Sequence, residues 1–330
     1  MSFTVSDLSE SEILQRIFPR LLNVEVAVVG PGDDAAVITA KDGRVVISID
    51  TLVEGQDFRL NRSNGHITRG FDIGWKAAAQ NLSDINAMGA RATSMVVSLT
   101  LPGRTPVILI EDFVDGLAAA IRELGAAGCG VVGGDLGAGH ELTVSIAVTG
   151  TLDYREPILR SGAEAGDVVA LAGTVGRAAA GLALMESDHH FTRLSADLQE
   201  LTLRQQRPRP PLAAGPAAAM AGARSMLDVS DGLVRDAGRI ATASRVCINI
   251  DPLAIERFTQ PLLEAAQLLD VDPREWVLSG GEDYALLATF PPRSLLPGGF
   301  TRIGSVSAGE PTVRVGAVSK GSGGWDHFAG

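Results

Sequence analysis

Apolar and polar positions alternate along this chain in two periods. Behind a Ser9–Glu12 capping box, Ile13, Leu14, Ile17 and Leu21 recur at helical spacing, which predicts an amphipathic opening helix. "VEVAVVG", "AAVITA" and "RVVISID" then read as strands, with "KDG" as the turn between the last two. The pattern loosens over 59–67, and a helix is predicted over 68–88, stopped at Gly89. "SMVVSLTLP" reads as a strand and "ILIEDFVDGLAAAIRELGAAG" as an amphipathic helix. "CGVVGGD" reads as a strand running into a glycine turn, and "ELTVSIAVTGTL" as another strand.

The second half begins with a strand at 167–172, an alanine-rich helix, a polar helix and a break at "RPRPP". A helix from about 212 follows, then "SMLDVSDGL" leading into a helix, the strand "VCINI" and a less regular helical stretch. "EWVLSGGEDYALLATF" leads into a strand, and short strands run to the end. Strands and helices mix without strict alternation, so the fold class expected is α+β. With 330 residues the chain exceeds one ordinary core, and the polar stretch "LDYREPILRSGAEAGD" suggests a division into residues 1–150 and 151–330.

Composition narrows the function classes. Apolar residues make up 45% of the chain but aromatics only 5%, which fits alanine-rich helices packed closely on sheets. The formal charge of −11 repels nucleic acid and anionic membrane, so neither is expected as a partner. No basic-then-apolar segment opens the chain and no uncharged apolar run is long enough to span a bilayer, so a cytoplasmic protein is expected. Cys129 and Cys247 are too few for a disulfide framework and read as buried apolar residues.

Carboxylates recur at the ends of apolar segments: "GPGDDAAVI", "VVISIDTL", "AAAQNLSDINAMGA", "GVVGGDLGAG", "MLDVSDGL" and "VLSGGEDYALL". Each alone reads equally as a turn or a strand end. As a set they stand out, because carboxylates are depleted in apolar segments unless something satisfies them. On the 68–88 helix, Lys76, Gln80 and Asp84 share one face with Asn81 adjacent; that stripe is either a solvated side or a charged wall. Asp34, Asp50, Asp84, Asp135, Asp228 and Asp231 cannot share a small volume unless cations neutralise them. His66, His140, His189, His190 and His327 form no zinc motif, and hard oxygen ligands favour Mg²⁺ bridging carboxylate to phosphate. No Walker-type phosphate loop is present, so the backbone amides of "GGDLGAG" are the candidate cradle.

Taken in order, "GPGDDAAVI", "SIDTLVEGQDF", "NLSDINAMGA", "GGDLGAG", "LDVSDGL" and "SGGEDYAL" resemble the thiamine-monophosphate kinase family, within the aminoimidazole ribonucleotide synthetase-like ATP-binding superfamily. The resemblance runs from about residue 25 to "GGWDHF". It implies a two-domain synthetase-like α+β fold, with an N-terminal dimerising sheet domain and a C-terminal α/β domain. It also implies a homodimer and direct transfer of the γ-phosphoryl group of ATP onto thiamine phosphate, assisted by several Mg²⁺ ions, with no general base. The family's metal positions fall on Asp34, Ser48, the main chain of Ile49, Asp50, Asp84, Asp135, Asp228 and Asp231. Its nucleotide positions fall on Gly134, Asp135, Arg160 and Ser230, and its substrate positions on Asp57, Glu282 and Trp325. Departures are Asp57, where many members carry His, Ile49, where many carry Thr, and "GGDLGAG", which lacks hydroxyls that some members have. Two other readings remain open at this point. One is another ATP-dependent enzyme of the superfamily, of the ribonucleotide cyclase type, and the other is a non-catalytic acidic sensor of nucleotide or metal.

Overall fold

The structure, a computed structural model, describes residues 3–22, 25–29 and 37–320. The opening cap forms as its pattern dictates. The Glu12 N–H donates to Ser9 Oγ at 3.3 Å and the Glu12 carboxylate accepts from the Ser9 N–H at 2.8 Å, which starts α1 (Glu10–Ile17). The chain divides into two compact units, residues 1–85 with 90–154, and residues 86–89 with 155–330. The main break therefore lies between Tyr154 and Arg155, inside the polar stretch that the sequence singles out.

In the first unit β1 (Ala27–Val29) and β2 (Val37–Ile38) form a short antiparallel ribbon. The main sheet combines β3 (Val46–Val53), β4 (Arg91–Leu101), β5 (Val131–Ala138) and β6 (Thr143–Thr151) in the order β3-β6-β4-β5. All its pairs are antiparallel except β4 with β5, which are joined through α3 (Val107–Glu123) as a parallel pair requires. Between β3 and β4 runs α2 (Gly70–Ala87), which buries Trp75, Ala78, Ala79, Leu82 and Ile85. It lies so close to α3 that a Cβ on Gly74 would sit 1.9 Å from the Phe113 carbonyl oxygen, and one on Gly116 2.0 Å from that of Phe71. The scarcity of aromatics and the abundance of small residues thus have a packing cause: backbone meets backbone between these helices.

One expectation is corrected here. The glycine turn read after "CGVVGGD" is not a turn. The residues through Ala138 continue β5, paired in register with β4 from Val96↔Gly133 to Leu101↔Ala138. Gly134 relieves contact with the neighbouring strand instead of bending the chain, since a Cβ there would lie 2.3 Å from the Val97 carbonyl oxygen.

The second unit is a seven-stranded sheet with helices packed on it. In chain order its elements are β7 (Val168–Ala172), α4 (Arg177–Glu186), α5 (Ala196–Gln206), α6 (Ala214–Met220), β8 (Ser225–Val229), α7 (Leu233–Ser244) and β9 (Cys247–Ile250). They continue with α8 (Pro252–Thr259), α9 (Leu263–Leu269), α10 (Pro273–Ser279), β10 (Ala285–Phe290), β11 (Phe300–Ser307), β12 (Thr312–Val315) and β13 (Val318–Lys320). The strand order is β13-β12-β9-β11-β7-β10-β8, antiparallel apart from β9 with β12. Every residue of β7, β8 and β10 is buried, because both faces are covered. Val169, Leu171, Leu227 and Leu287 join one core with α4, α5 and α7, while Ala170, Ala172, Met226 and Phe290 join another with Ala214 and Ala218 of α6. Cys129 and Cys247 are buried free thiols, and burial pushes the Cys129 thiol up to about 12, so it behaves as the apolar residue the sequence suggests.

Candidate active site

In the first unit Asp50, Asp84 and Asp135 come from regular elements. Alternation along β3 turns Ser48 and Asp50 to the face covered by α2 and Ile49 to the opposite face, where its side chain is exposed. Ser48 Oγ donates to Asp84 Oδ2 of α2 at 2.5 Å. The polar stripe of α2 is not a solvated side: Lys76 and Gln80 are buried, and Asn81 is wholly so. Lys76 Nζ donates to the Asp57 carbonyl oxygen at 3.2 Å, and Asn81 Nδ2 donates to the Ala77 carbonyl at 2.9 Å. Asp57 itself closes the turn after β3, its carboxylate accepting from the Val53 N–H at 2.7 Å. Asp135 is exposed on β5, in register beside Ser98. The structure thus brings Ser48 against Asp84, puts Asp50 on the same face of β3 as Ser48, and gives Asp57 a turn-closing bond.

In the second unit the corresponding positions lie on two loops fastened to each other. Asp228 is buried in β8 opposite Leu286, and Ser230, Asp231 and Gly232 lead from that strand into α7. The second loop runs from α10 into β10. Its Glu282 N–H donates to the Ser230 carbonyl at 2.9 Å and its Tyr284 N–H to the Val229 carbonyl at 3.1 Å. The approach leaves no room for side chains, since a Cβ on Gly281 would lie 2.2 Å from the Ser230 carbonyl oxygen. Glu282 and Tyr284 take left-handed backbone, at φ 67° and 54°, an unfavourable conformation that the surrounding bonds hold in place.

Buried acids fix these loops. Asp236 of α7 accepts from the Asp231 N–H at 2.9 Å and the Gly232 N–H at 3.1 Å, and burial pushes its carboxyl up to about 6. Arg239 joins Asp231 Oδ2 to Asp236 Oδ1, at 2.5 Å each. Asp283 accepts from Thr174 Oγ1 at 3.2 Å and from the Ala178 N–H at 3.1 Å, capping the start of α4, and burial pushes it up to about 7. Gln205 of α5 donates to Glu282 Oε2 at 3.1 Å. Arg160 is exposed, and its carbonyl accepts from Ser244 Oγ at 3.1 Å.

Asp34 and Trp325 lie outside the described residues. Asp236, Arg239, Gln205 and Asp283 escape the sequence reading. The signal for Asp236 is an acid in the first turn of the helix that follows "SDG", and the signal for Asp283 is its place beside Glu282 in "SGGEDY". Among the described residues no group of three or more His, Cys, Asp or Glu side chains gathers as a metal site. The donors present still fit a hard divalent cation. They are carboxylate and hydroxyl oxygens, and the Asp231 carboxylate already attracts a cation, the Arg239 guanidinium.

Comparison with known proteins places the chain in a family. Residues 32–152 match the family described as "AIR synthase related protein, N-terminal domain". The thiamine-monophosphate kinase of Mycobacterium tuberculosis is 43% identical over 98% of this chain and 93% of its own length. The crystal structure of thiamine-monophosphate kinase from Stenotrophomonas maltophilia superposes with a TM-score of 0.78 at 32% identity, covering 95% of this chain and 98% of that one. AaThiL complexed with AMPPCP and TMP superposes with a TM-score of 0.76 at 30% identity, covering 99% of this chain and all of that one, 100%. The chain is a phosphotransferase, and it belongs to the thiamine-monophosphate kinase family.

Proposed function

We propose that this chain transfers the γ-phosphoryl group of ATP directly to the phosphate of thiamine phosphate, giving thiamine diphosphate and ADP. The observation that carries the reading is the Ser48–Asp84 contact, in which an acid on an otherwise packed helix meets a strand hydroxyl at the position where the family pattern puts ion ligands. The acceptor is a phosphate oxygen, anionic at neutral pH, so no general base is needed. The obstacle is repulsion between two anions, and alignment with charge neutralisation overcomes it. Mg²⁺, when bound, supplies that neutralisation. In this reading Asp34, Asp50, Asp84, Asp135, Asp228 and Asp231 would hold the ions, with Ser48 and the main chain of Ile49 as further ligands. Gly134, Ser230 and Arg160 hold the nucleotide, the Arg160 guanidinium serving as a charged donor to phosphate. Glu282 pairs with the cationic thiazolium or bonds the pyrimidine, Trp325 stacks on the cationic ring, and Asp57 borders the substrate.

A homodimer belongs to the same reading. On the first unit's sheet, the face away from α2 carries exposed Ile47, Ile49 and Val96, with Ile49 and Val96 both in register with Ala147 between them. A second copy of the chain fits such a face. Among the described residues no helix is long and apolar enough to cross a membrane. The test is chromatography of products from ATP and thiamine phosphate with Mg²⁺ present, and free thiamine as control. Thiamine diphosphate and equimolar ADP are expected from thiamine phosphate and nothing from thiamine; ADP release without a diphosphate product would reject the reading.

A further inference from the structure

The Asp231 carboxylate is engaged by a cation of the chain itself. Arg239 reaches back along α7, donating from one guanidinium nitrogen to Asp231 Oδ2 and from another to Asp236 Oδ1. Asp236 is buried, and its second oxygen accepts from the N–H groups of Asp231 and Gly232. The guanidinium is therefore tied to a spot that a buried acid and the loop backbone determine, and its other contact is a carboxylate assigned above to ion binding. We propose that Arg239 is a resident counter-cation of the Ser230–Asp231–Gly232 loop, which a divalent ion must displace or share, so that it lowers and sets the ion affinity of Asp231. The proposal rests on the assignment of Asp231 as an ion ligand.

The physical basis is direct. A guanidinium on Oδ2 satisfies part of the carboxylate's field and repels a second cation brought to the same group. Arginine does not lose its proton in proteins, so this competition cannot be titrated away. The geometry also differs from a surface ion pair. Two carboxylates hold the fork at once, and one of them is anchored by backbone N–H groups, which limits how far the arginine can swing aside.

The test is a titration of the full-length protein with Mn²⁺ in the absence of nucleotide, following free Mn²⁺ by electron paramagnetic resonance. Arg239→Met is expected to bind Mn²⁺ roughly tenfold more tightly than the parent, and Arg239→Lys, which keeps the charge but cannot bridge both carboxylates, to fall between the two. Unchanged or weaker binding by Arg239→Met overturns the proposal. Removing Arg239 leaves Asp236 buried without its cation, so the pair Asp236→Asn and Asp236→Asn/Arg239→Met is measured as well. Asparagine there holds the guanidinium less firmly, so the double variant should bind more tightly than the single by a smaller factor than Arg239→Met gives with Asp236 intact, and a double variant that binds more weakly than the single would overturn the proposal. Asp231→Asn separates the two layers of argument. If it leaves Mn²⁺ binding unaltered, Asp231 is no ligand and the assignment falls with the proposal. If it weakens binding while Arg239→Met fails to tighten it, the proposal alone falls.

Discussion

The two acidic regions of this molecule are positioned by different means. In the first unit Ser48 and Asp84 meet because a strand alternates and a helix turns every few residues, and both elements are held by the burial of Trp75, Leu82, Ile85 and their neighbours. In the second unit Asp231 and Glu282 stand on irregular backbone. Carbonyl-to-amide bonds between the loops hold it, with left-handed residues and the buried carboxylates Asp236 and Asp283. The first arrangement costs little beyond ordinary packing. The second spends strain and desolvation at each position, and it is the less tolerant of change there.

The largest effect separates chemistry from fold. Asp84→Asn keeps the size of the side chain and its contact with Ser48 while removing the charge. Turnover of thiamine phosphate should drop on the order of 10³-fold, with the thermal midpoint little changed, because the helix rests on apolar packing. Turnover within tenfold of the parent in a Mg²⁺-dependent assay would strip this region of its role and leave the loops of the second unit alone.

Next comes the loop contact. Gly281→Ala would drive a methyl group to 2.2 Å from the Ser230 carbonyl oxygen, where only backbone can give way. A loss of about 2–4 kcal/mol is expected, with turnover reduced as the loops separate. A chemical denaturation midpoint equal to the parent's would mean that these loops adapt as freely as surface turns, which would erase the contrast with the first unit.

That contrast also explains what the sequence makes legible. The helix over Gly70–Ala87, its stop near Gly89 and the face shared by Lys76, Gln80 and Asp84 follow from periodicity. What the stripe faces does not follow, because a polar stripe reads the same whether water or protein covers it. The "SDG" and "SGGEDY" loops are visible as motifs, but the residues that fasten them are not. Asp236 reads as an ordinary first-turn acid and Asp283 as a neighbour of Glu282, and only tertiary structure shows the N–H groups they accept from. "GGDLGAG" misleads for a related reason. Gly134 and Gly139 relieve contact with β4, and composition alone cannot tell that need from a turn's.

A smaller effect tests whether buried acids carry the second arrangement. The Asp283 carboxyl, ordinarily near 3.8, is raised to about 7 by burial. The folded state therefore keeps a proton that the unfolded chain releases, and the contribution to stability is full below about 3.8 and lost as the pH climbs through about 7. Across that window the parent should lose stability on the order of a few kcal/mol, while Asp283→Asn, with nothing to ionise, loses correspondingly less. Urea midpoints at the two ends of the window measure it; identical losses in parent and variant would show that Asp283 ionises freely and does not strain the loop.

The smallest effect sharpens the comparison from the other side. The first unit also has left-handed residues, Asp153 at φ 49° and Tyr154 at φ 68°, and solvated cations hold the first of them. Asp153 pairs with Arg91 at 2.7 Å and Lys41 at 3.2 Å, and both cations are mostly solvated. The hydrogen bond from Arg91 holds its carboxyl down to about 2, so its contribution is present above the ordinary 3.8 and lost as the pH falls through about 2. Solvent screens such pairs, and Asp153→Asn, whose side chain tolerates left-handed backbone, should cost less than about 1 kcal/mol. Asp153→Ala loses that tolerance as well and should cost about 1 kcal/mol more. If Asp153→Asn alone cost as much as the buried-loop variants, exposed ion pairs would fix irregular backbone as firmly as buried acids do, and burial would no longer distinguish the two regions.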